Sequence, residues 1–249
     1  MRIIDAHVHQ WNVFANPDNV AKFLERNPEV DYLVLASNLT GGAYPSVEEM
    51  RASNDSTVEY VERFPRQVKG WCYVNPVYRG DALEELRRGF DRGLVGMKLW
   101  VATRCDDERV FPLVEACIEA ARPLIVHTWK KATGNLARES TPVHLANLAR
   151  RYPEARVLMA HFGGFFEYGL KAVASCRNVR VDYAGSVNER GAYEMAVRLL
   201  GEDRVVFGSD LPADFHTNLG RVLEADFLPA VRDKILAENF EAMLRAEDR

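Results

Sequence analysis

The feature that most constrains the fold of this chain is a regular alternation of strand-like and helix-like segments along its whole length. Eight short apolar runs rich in β-forming residues recur: RIIDAHVH, DYLVLAS, VKGWCYVNP, LVGMKLW, PLIVHT, ARVLMAHF, VRVDYAG and RVVFGSD. Segments with helical periodicity separate them, such as DALEELRRGFDRG, in which Leu83, Leu86 and Phe90 share one face. Strands separated by helices need crossover connections, which favour parallel pairing, and eight such units close naturally into a barrel.

We therefore predict an α/β protein that forms a single (β/α)8 TIM barrel over residues 1–249, with a doubly wound open sheet as the main competing architecture. No low-complexity linker or Pro/Gly-rich spacer divides the sequence. The strands are expected near residues 3–9, 31–37, 68–74, 95–100, 123–127, 156–160, 179–183 and 204–208.

Charge and composition narrow the expected partners. A formal net charge of −4 gives no broad basic field that would draw the protein to nucleic acid or an anionic membrane, so a small-molecule substrate is favoured. The N-terminus MRIIDAHVHQW has no apolar signal core, and no stretch of about 18 uncharged apolar residues follows. We expect a cytoplasmic protein. The four cysteines are scattered without a CxxC pair, which argues against a disulfide framework or a cysteine-rich zinc site.

The first strand run carries two histidines in the sequence Asp5-Ala6-His7-Val8-His9. Side chains two residues apart on a strand point to the same face, so both imidazoles are expected to face the barrel interior. Two neutral imidazoles on one rigid strand suit zinc or a similar divalent cation, although ordinary hydrogen-bonded histidines give the same pattern. Asp5 shares this parity, and it could orient a metal ligand or stabilise the local backbone.

Three further polar residues end other strand runs. His127 ends the fifth run, His161 ends the sixth and Asp210 ends the eighth. The carboxyl ends of barrel strands converge on one mouth, so these residues have a shared geometric explanation with the HxH pair. Histidine and carboxylate ligands with a free solvent position are typical of a catalytic metal site.

Several segments together resemble the amidohydrolase superfamily, in particular the branch called amidohydrolase family 2, which contains metal-dependent TIM-barrel hydrolases and non-oxidative decarboxylases. The resemblance runs nearly from end to end. The segments that carry it are IDAHVH, YVNP, GMKLW, IVHT, AHFGG, GSDLP and ENFEAMLR.

The resemblance implies that His7, His9, His127 and Asp210 are metal ligands and that His161 lies beside the metal-bound water. Related barrels can carry a carboxylated lysine at the position of Lys98, where it bridges two metals. An unmodified Lys98 that binds a substrate carboxylate is the preferred alternative because their charges are complementary. The resemblance also implies a homo-oligomer.

Further substrate contacts are expected around the mouth. Trp100 and Trp129 lie at or just past strand ends, so their rings are candidates for lining the cavity, with core packing as the alternative. His216 follows GSDLPADF in the last strand-to-helix loop and could also contact substrate. Together with Lys98, these residues weakly favour a planar or cyclic organic acid as the substrate.

The main functional prediction is a metal-dependent hydrolase that acts on a small lactone, amide or ester through metal-activated water. Asp210 would take the water proton and return it to the leaving group, while His161 would stabilise charge at the reacting centre. One divalent ion is expected, Zn²⁺ first and Mn²⁺ second. The same residues also fit non-oxidative decarboxylation of an aromatic or enoic acid. A non-catalytic protein stabilised by the metal is the third alternative.

Overall fold

Eight parallel strands lie side by side in the same order as in the chain. The structure is a computed structural model that describes residues 1–37, 42–185 and 189–245. The strands are β1 (Ile3–His9), β2 (Val30–Ala36), β3 (Val68–Tyr73), β4 (Gly96–Leu99), β5 (Leu124–Val126), β6 (Val157–Met159), β7 (Val179–Asp182) and β8 (Val205–Val206). A parallel bridge between Val8 and Asp210 joins the last strand region to the first. This order confirms the predicted barrel, because an open doubly wound sheet would reverse its strand order at a switch point.

Helices alternate with the strands around the outside of the barrel. They are α1 (Pro17–Arg26), α2 (Val47–Arg63), α3 (Gly80–Asp91), α4 (Phe111–Glu119), α5 (Pro142–Arg151), α6 (Phe166–Val173), α7 (Ala192–Leu200) and α8 (Phe215–Glu224), followed by α9 (Pro229–Asp233), a π-helical turn (Lys234–Glu238) and α10 (Asn239–Leu244). The predicted face of α3 packs inward, with Leu86 fully buried and both Leu83 and Phe90 against the core. Among the described residues, no helix is long and apolar enough to cross a membrane.

Apolar side chains fill the two layers of the barrel separately. The larger cluster lies between the strands and the outer helices, where every second strand residue points. The smaller cluster fills the barrel interior and includes Trp71, whose indole Nε1 donates a hydrogen bond to Ala6 O at 2.9 Å. Phe240 of α10 packs edge-on against Trp71 at 5.9 Å between ring centroids. The interior is therefore packed at the amino-terminal end, which leaves the carboxyl-terminal mouth for polar groups.

Several strands end earlier than the sequence predicts. β5 ends at Val126 and β6 at Met159, while β8 contains only Val205 and Val206. His127, His161 and Asp210 lie within four residues after these strand ends. His161 and Asp210 have positive φ values, so their backbones turn away from extended geometry.

Candidate metal centre

A compact group of side chains lies at the carboxyl-terminal mouth. His7, His161 and Asp210 each offer one ligand atom within 4.8 Å of the other two. His9 and His127 flank this group. His9 Nε2 is 3.3 Å from Asp210 Oδ1, and His127 Nδ1 is 3.1 Å from His161 Nε2. The structure thus brings together all five residues that the strand ends predict, with His161 in the compact group and His127 at its edge.

His7 is held by a buried carboxylate from β7. Its Nδ1 lies 3.1 Å from Asp182 Oδ2, and both side chains are fully buried. Because an ionised carboxylate only accepts hydrogen bonds, Nδ1 carries the proton and Nε2 keeps a lone pair. Asp182 Oδ1 also accepts from the backbone N–H groups of His161 and Ala184, each at 3.0 Å. One carboxylate therefore orients His7 and fixes the backbone that carries His161.

Backbone carbonyls orient two other imidazoles. His9 Nδ1 lies 3.2 Å from Ala36 O, and His161 Nδ1 lies 2.8 Å from Ala184 O. Each carbonyl can only accept, so each Nδ1 carries the proton and each Nε2 presents a lone pair. His9 Nε2 faces Asp210, and His161 Nε2 faces His127 Nδ1.

His127 has the opposite arrangement. Its Nε2 lies 3.0 Å from Glu139 Oε1, a buried carboxylate in the segment between β5 and α5. His127 therefore donates through Nε2 and turns the lone pair of Nδ1 towards His161 Nε2. Two nitrogen lone pairs then face each other at 3.1 Å, which is unfavourable unless a cation or an additional proton lies between them.

The donor chemistry of the cluster fits a divalent cation. Four imidazole lone pairs and the Asp210 carboxylate converge, and among the described contacts at this centre only Lys98 supplies a hydrogen-bond donor. Neutral imidazole nitrogens and a carboxylate are the ligands that zinc and manganese accept in catalytic sites. Each imidazole also donates a hydrogen bond from the ring nitrogen that points away from the centre, which is typical of metal-binding histidines.

The protonation states agree with this fit. Burial lowers the pKa of His7 to about 3 and that of His127 to about 4, so both imidazoles are neutral near pH 7. Burial opposes ionisation of Asp210, but the nearby His161, His9 and His7 outweigh it and hold its pKa well below the usual range. Asp210 is therefore an ionised carboxylate that accepts hydrogen bonds.

Lys98 lies at the inner edge of the cluster on β4. Its Nζ is 2.8 Å from His7 Nε2, and the side chain is only 1% exposed. Burial lowers the pKa of this amine to about 8, partly offset by the carboxylates of Asp210 and Asp182. An ammonium here adds a positive charge beside the imidazoles of the cluster.

The backbone at two of these residues is strained. His161 and Asp210 have φ values of 63° and 68°, and Phe162 next to His161 has a φ of 46°. Non-glycine residues in the left-handed region are uncommon and cluster at functional sites. The fixed contacts of the Asp182 and Ala184 segment hold His161 in this conformation, which aims its ring at the centre.

The predicted substrate-contacting aromatics divide between the cluster and its surroundings. Trp129 stacks on His127 at 6.0 Å between ring centroids and packs at 4.7 Å against His161. The Trp100 ring lies 6.5 Å from that of Tyr73, and no described contact joins it to the cluster. His216 is exposed on α8 with its ring against Phe215 and lines a groove beside α1, so the structure does not place it in the cluster.

Sequence reasoning missed two functional candidates, Asp182 and Glu139. Asp182 had a usable signal, because it is a carboxylate at the end of the seventh strand run, VRVD. Glu139 had none, since it lies 12 residues after His127 in an irregular segment. Only the folding of that segment brings its carboxylate to the imidazole.

Asp5 serves the backbone and not the cluster. Its Oδ1 accepts from the N–H groups of His7 and Ser209, and its Oδ2 lies 2.5 Å from Ser209 Oγ. The pairing register with β2 shifts between Asp5 and Val8, so simple alternation does not carry across this part of β1. Of the two roles open for Asp5, the contacts favour stabilisation of the strand ends.

A family model described as "Amidohydrolase" matches residues 4–246. The chain belongs to the amidohydrolase family. This confirms the resemblance drawn from the strand-end motifs and identifies the protein as an enzyme of the amidohydrolase superfamily. The family is metal-dependent, in agreement with the donor set of the cluster.

The chain is similar to several proteins that are named as decarboxylases. A 2-amino-3-carboxymuconate-6-semialdehyde decarboxylase of Dictyostelium discoideum is 20% identical over 222 residues, which cover 72% of this chain and 60% of that protein. A crystal structure of 2,6-dihydroxybenzoate decarboxylase from Rhizobium has a TM-score of 0.79 at 15% identity, covering 98% of this chain and 99% of that one. A dihydroxybenzoic acid decarboxylase from Polaromonas sp. JS666, with bound manganese and 2-nitroresorcinol, has a TM-score of 0.79 at 16% identity, covering 98% and 96%.

Proposed function

We propose that this amidohydrolase is a metal-dependent non-oxidative decarboxylase of a small aromatic or enoic acid. The observation that carries the proposal is that a sequence comparison and a fold comparison both lead to proteins named as decarboxylases. The finding favours the alternative that the sequence left open over the hydrolase that it ranked first. The chemistry of the mouth is compatible with this choice, because a buried ammonium lies beside a carboxylate able to move a proton.

His7, His9, His127, His161 and Asp210 are the residues that would hold the metal. His7, His161 and Asp210 are the most compact part of the set, and His9 and His127 would complete it with modest side-chain movement. A divalent ion there would polarise a substrate oxygen and neutralise negative charge that develops on it. Zinc and manganese both suit these ligands, and manganese is the ion named with the Polaromonas decarboxylase.

Lys98 would bind and orient the substrate. An aromatic acid brings a carboxylate and often a neighbouring hydroxyl, and an ammonium attracts either group once it is ionised. Trp129, which packs against His127 and His161, offers a flat apolar ring against which a planar substrate would stack. Trp100, just after the end of β4, would be a second aromatic contact. These contacts favour a planar acid over a branched aliphatic one.

Asp210 would transfer the proton. Its ionised carboxylate can accept the proton of a substrate hydroxyl and then return it to the ring carbon that carries the carboxylate. The new C–H bond forms as the C–C bond to the carboxylate breaks, carbon dioxide leaves, and the hydroxyl regains a proton from solvent. His161, beside Asp210, would stabilise the charge that moves through this exchange.

Product analysis on a panel of acids, lactones and amides tests the proposal. The protein is loaded with Mn²⁺ or Zn²⁺ and incubated with hydroxybenzoates, enoic acids and neutral lactones in ¹⁸O-labelled water. Stoichiometric carbon dioxide release without label in the organic product supports decarboxylation. Incorporation of label into a ring-opened or cleaved product would instead establish the hydrolase. Metal binding without turnover on either class would favour the non-catalytic alternative.

A further inference from the structure

Among the described residues, Glu139 is the most heavily hydrogen-bonded carboxylate near the cluster, and no described contact joins it to the atoms predicted to face the metal. Its side chain is nearly fully buried. Oε1 lies 3.0 Å from His127 Nε2 and 2.8 Å from Lys131 Nζ. Oε2 accepts from Asn135 Nδ2 at 3.1 Å and from the backbone N–H of Leu136 at 3.0 Å. The carboxylate is thus fixed in place by the segment between β5 and α5.

The contacts of Glu139 also define it as a hydrogen-bond acceptor. Lys131 Nζ lies within 2.9 Å of both carboxylate oxygens, and the Asn135 amide and the Leu136 N–H donate to Oε2. A carboxylate surrounded by these donors can only accept hydrogen bonds. The imidazole nitrogen that faces it must therefore carry the proton in every state in which the contact persists.

This requirement distinguishes His127 from the other histidines of the centre. His7, His9 and His161 are held through Nδ1 and present Nε2. His127 is held through Nε2, so it presents Nδ1, the nitrogen nearer its backbone. With the other tautomer, His127 would place an N–H towards the centre and could not offer a lone pair there.

We propose that Glu139 is a positioning residue that sets the tautomer and ring orientation of His127 for metal binding, with Lys131 holding the carboxylate in place. The inference rests on the proposed metal centre and not on the reaction catalysed there. A second role for Glu139, as an anchor of the segment that contains Asn135 and Leu136, is the alternative that the experiment must separate from positioning.

Metal affinity of the Glu139→Gln variant tests the proposal. The Gln side chain has nearly the same shape, but its amide can rotate to present N–H groups to His127, which removes the constraint on the tautomer. The dissociation constant of Mn²⁺ is measured by competition with a chromophoric chelator, and the visible absorption of the Co²⁺-loaded protein reports the ligand set. Loss of an oriented partner of a ligand typically weakens metal binding by about 10–100-fold, and we expect a loss in this range with an altered Co²⁺ spectrum.

Asn135→Ala is the matched control for anchoring. Asn135 donates to Trp129 O and Glu139 and accepts from the backbone N–H of Lys131, but no described contact joins it to His127. We expect its metal affinity and Co²⁺ spectrum to match those of the wild-type protein, even if thermal unfolding of the metal-free protein begins earlier. If Glu139→Gln does not fold, Glu139→Asp carries the same expectation, because the shorter side chain keeps its charge for Lys131 but does not reach His127.

The outcomes separate the inference from the proposed centre. Wild-type affinity and an unchanged Co²⁺ spectrum in the Glu139 variants would overturn the positioning role while leaving the metal centre intact. Equal losses of affinity in Asn135→Ala and Glu139→Gln would assign Glu139 to anchoring and also overturn it. If the wild-type protein binds no metal at this cluster, both the centre and the inference fail.

Discussion

At the residue scale, the hydrogen-bond partner of one ring nitrogen of each histidine decides whether the other ring nitrogen offers a lone pair to a metal. Carboxylates orient His7 and His127, whereas backbone carbonyls orient His9 and His161. A backbone carbonyl remains whatever the side chain of its residue, whereas a side-chain carboxylate can be replaced by mutation while the histidine stays unchanged. The two carboxylate-held histidines are therefore where the orientation of the centre can be tested.

Asp182→Asn should weaken metal binding more than it weakens the fold. The Asn carbonyl can still accept from the N–H groups of His161 and Ala184, but its amide would donate to His7 Nδ1 and force the proton onto Nε2. We expect metal affinity to fall by about 10–100-fold. Chelator competition measures the affinity, with the exposed Asp91→Asn as a charge-matched control. Equal affinities for wild type, Asp182→Asn and Asp91→Asn would remove Asp182 from the support of the centre.

Asp210→Asn should leave a folded barrel that has lost most of its turnover. The Asn carbonyl can still face a cation, but the amide cannot accept and return a proton at neutral pH. General acid–base catalysis is typically worth about 10²–10⁴ in rate, so we expect a loss of this size at saturating metal. Turnover on the substrate found by product analysis is compared with metal content in the same samples. Wild-type turnover in metal-saturated Asp210→Asn would show that another group moves the proton.

At the element scale, the turn that carries His161 depends on its close packing against helix α6. A Cβ added at Gly169 would lie 1.9 Å from Phe162 O, which no side chain can tolerate without backbone movement. The absence of a side chain at Gly169 lets α6 approach the turn after β6. The position of His161 is therefore determined jointly by the strand end and by the helix that follows it.

Gly169→Ala should destabilise the protein and disturb the centre together. Overpacking typically costs about 1–3 kcal/mol, and relief of this contact would have to move either α6 or the turn at His161. Chemical denaturation gives the free energy of unfolding, and Mn²⁺ affinity reports the turn. Gly80→Ala is the matched control, because a Cβ at Gly80 meets nothing within 4 Å. Retention of wild-type stability and affinity in Gly169→Ala would contradict the close approach.

At the scale of the whole molecule, the barrel closes through contacts between β1 and the segment after β8. The backbone of this segment bonds to β1, with Ser209 N and Asp210 N both donating to His7 O. The Asp5 side chain adds a second connection through Ser209. Burial raises the pKa of Asp5 to about 7. The hydrogen bonds that Asp5 accepts from Ser209 and His7 offset part of the free-energy cost of burying this carboxyl group.

Ser209→Ala should lower global stability without changing the outline of the barrel. The substitution removes the hydroxyl that bonds Asp5 Oδ2 and leaves a buried oxygen without that partner, which typically costs about 1–3 kcal/mol. Urea denaturation of the metal-free protein measures the loss, with the exposed Ser175→Ala as control. A free energy of unfolding equal to that of the control would show that the side-chain connection is dispensable for closure.

The sequence by itself determined the barrel and most of the cluster. Short apolar runs separated by segments of helical periodicity specify strands and crossovers, and parallel strands in such an arrangement bring their carboxyl ends to one mouth. His7, His9, His127, His161 and Asp210 were therefore predictable as neighbours, because each lies at or just after a strand end. The same reasoning would have reached Asp182.

Only the tertiary structure decided how those residues are oriented and what supports them. Glu139 reaches His127 through an irregular segment that has no periodic pattern, and the strained φ values of His161 and Asp210 follow from packing around them. His216 follows the same strand-to-helix loop as Asp210, but its side chain lines a groove beside α1. Local sequence fixes which strand end carries a side chain, whereas the direction of that side chain depends on hydrogen bonds and packing with residues far away in the chain.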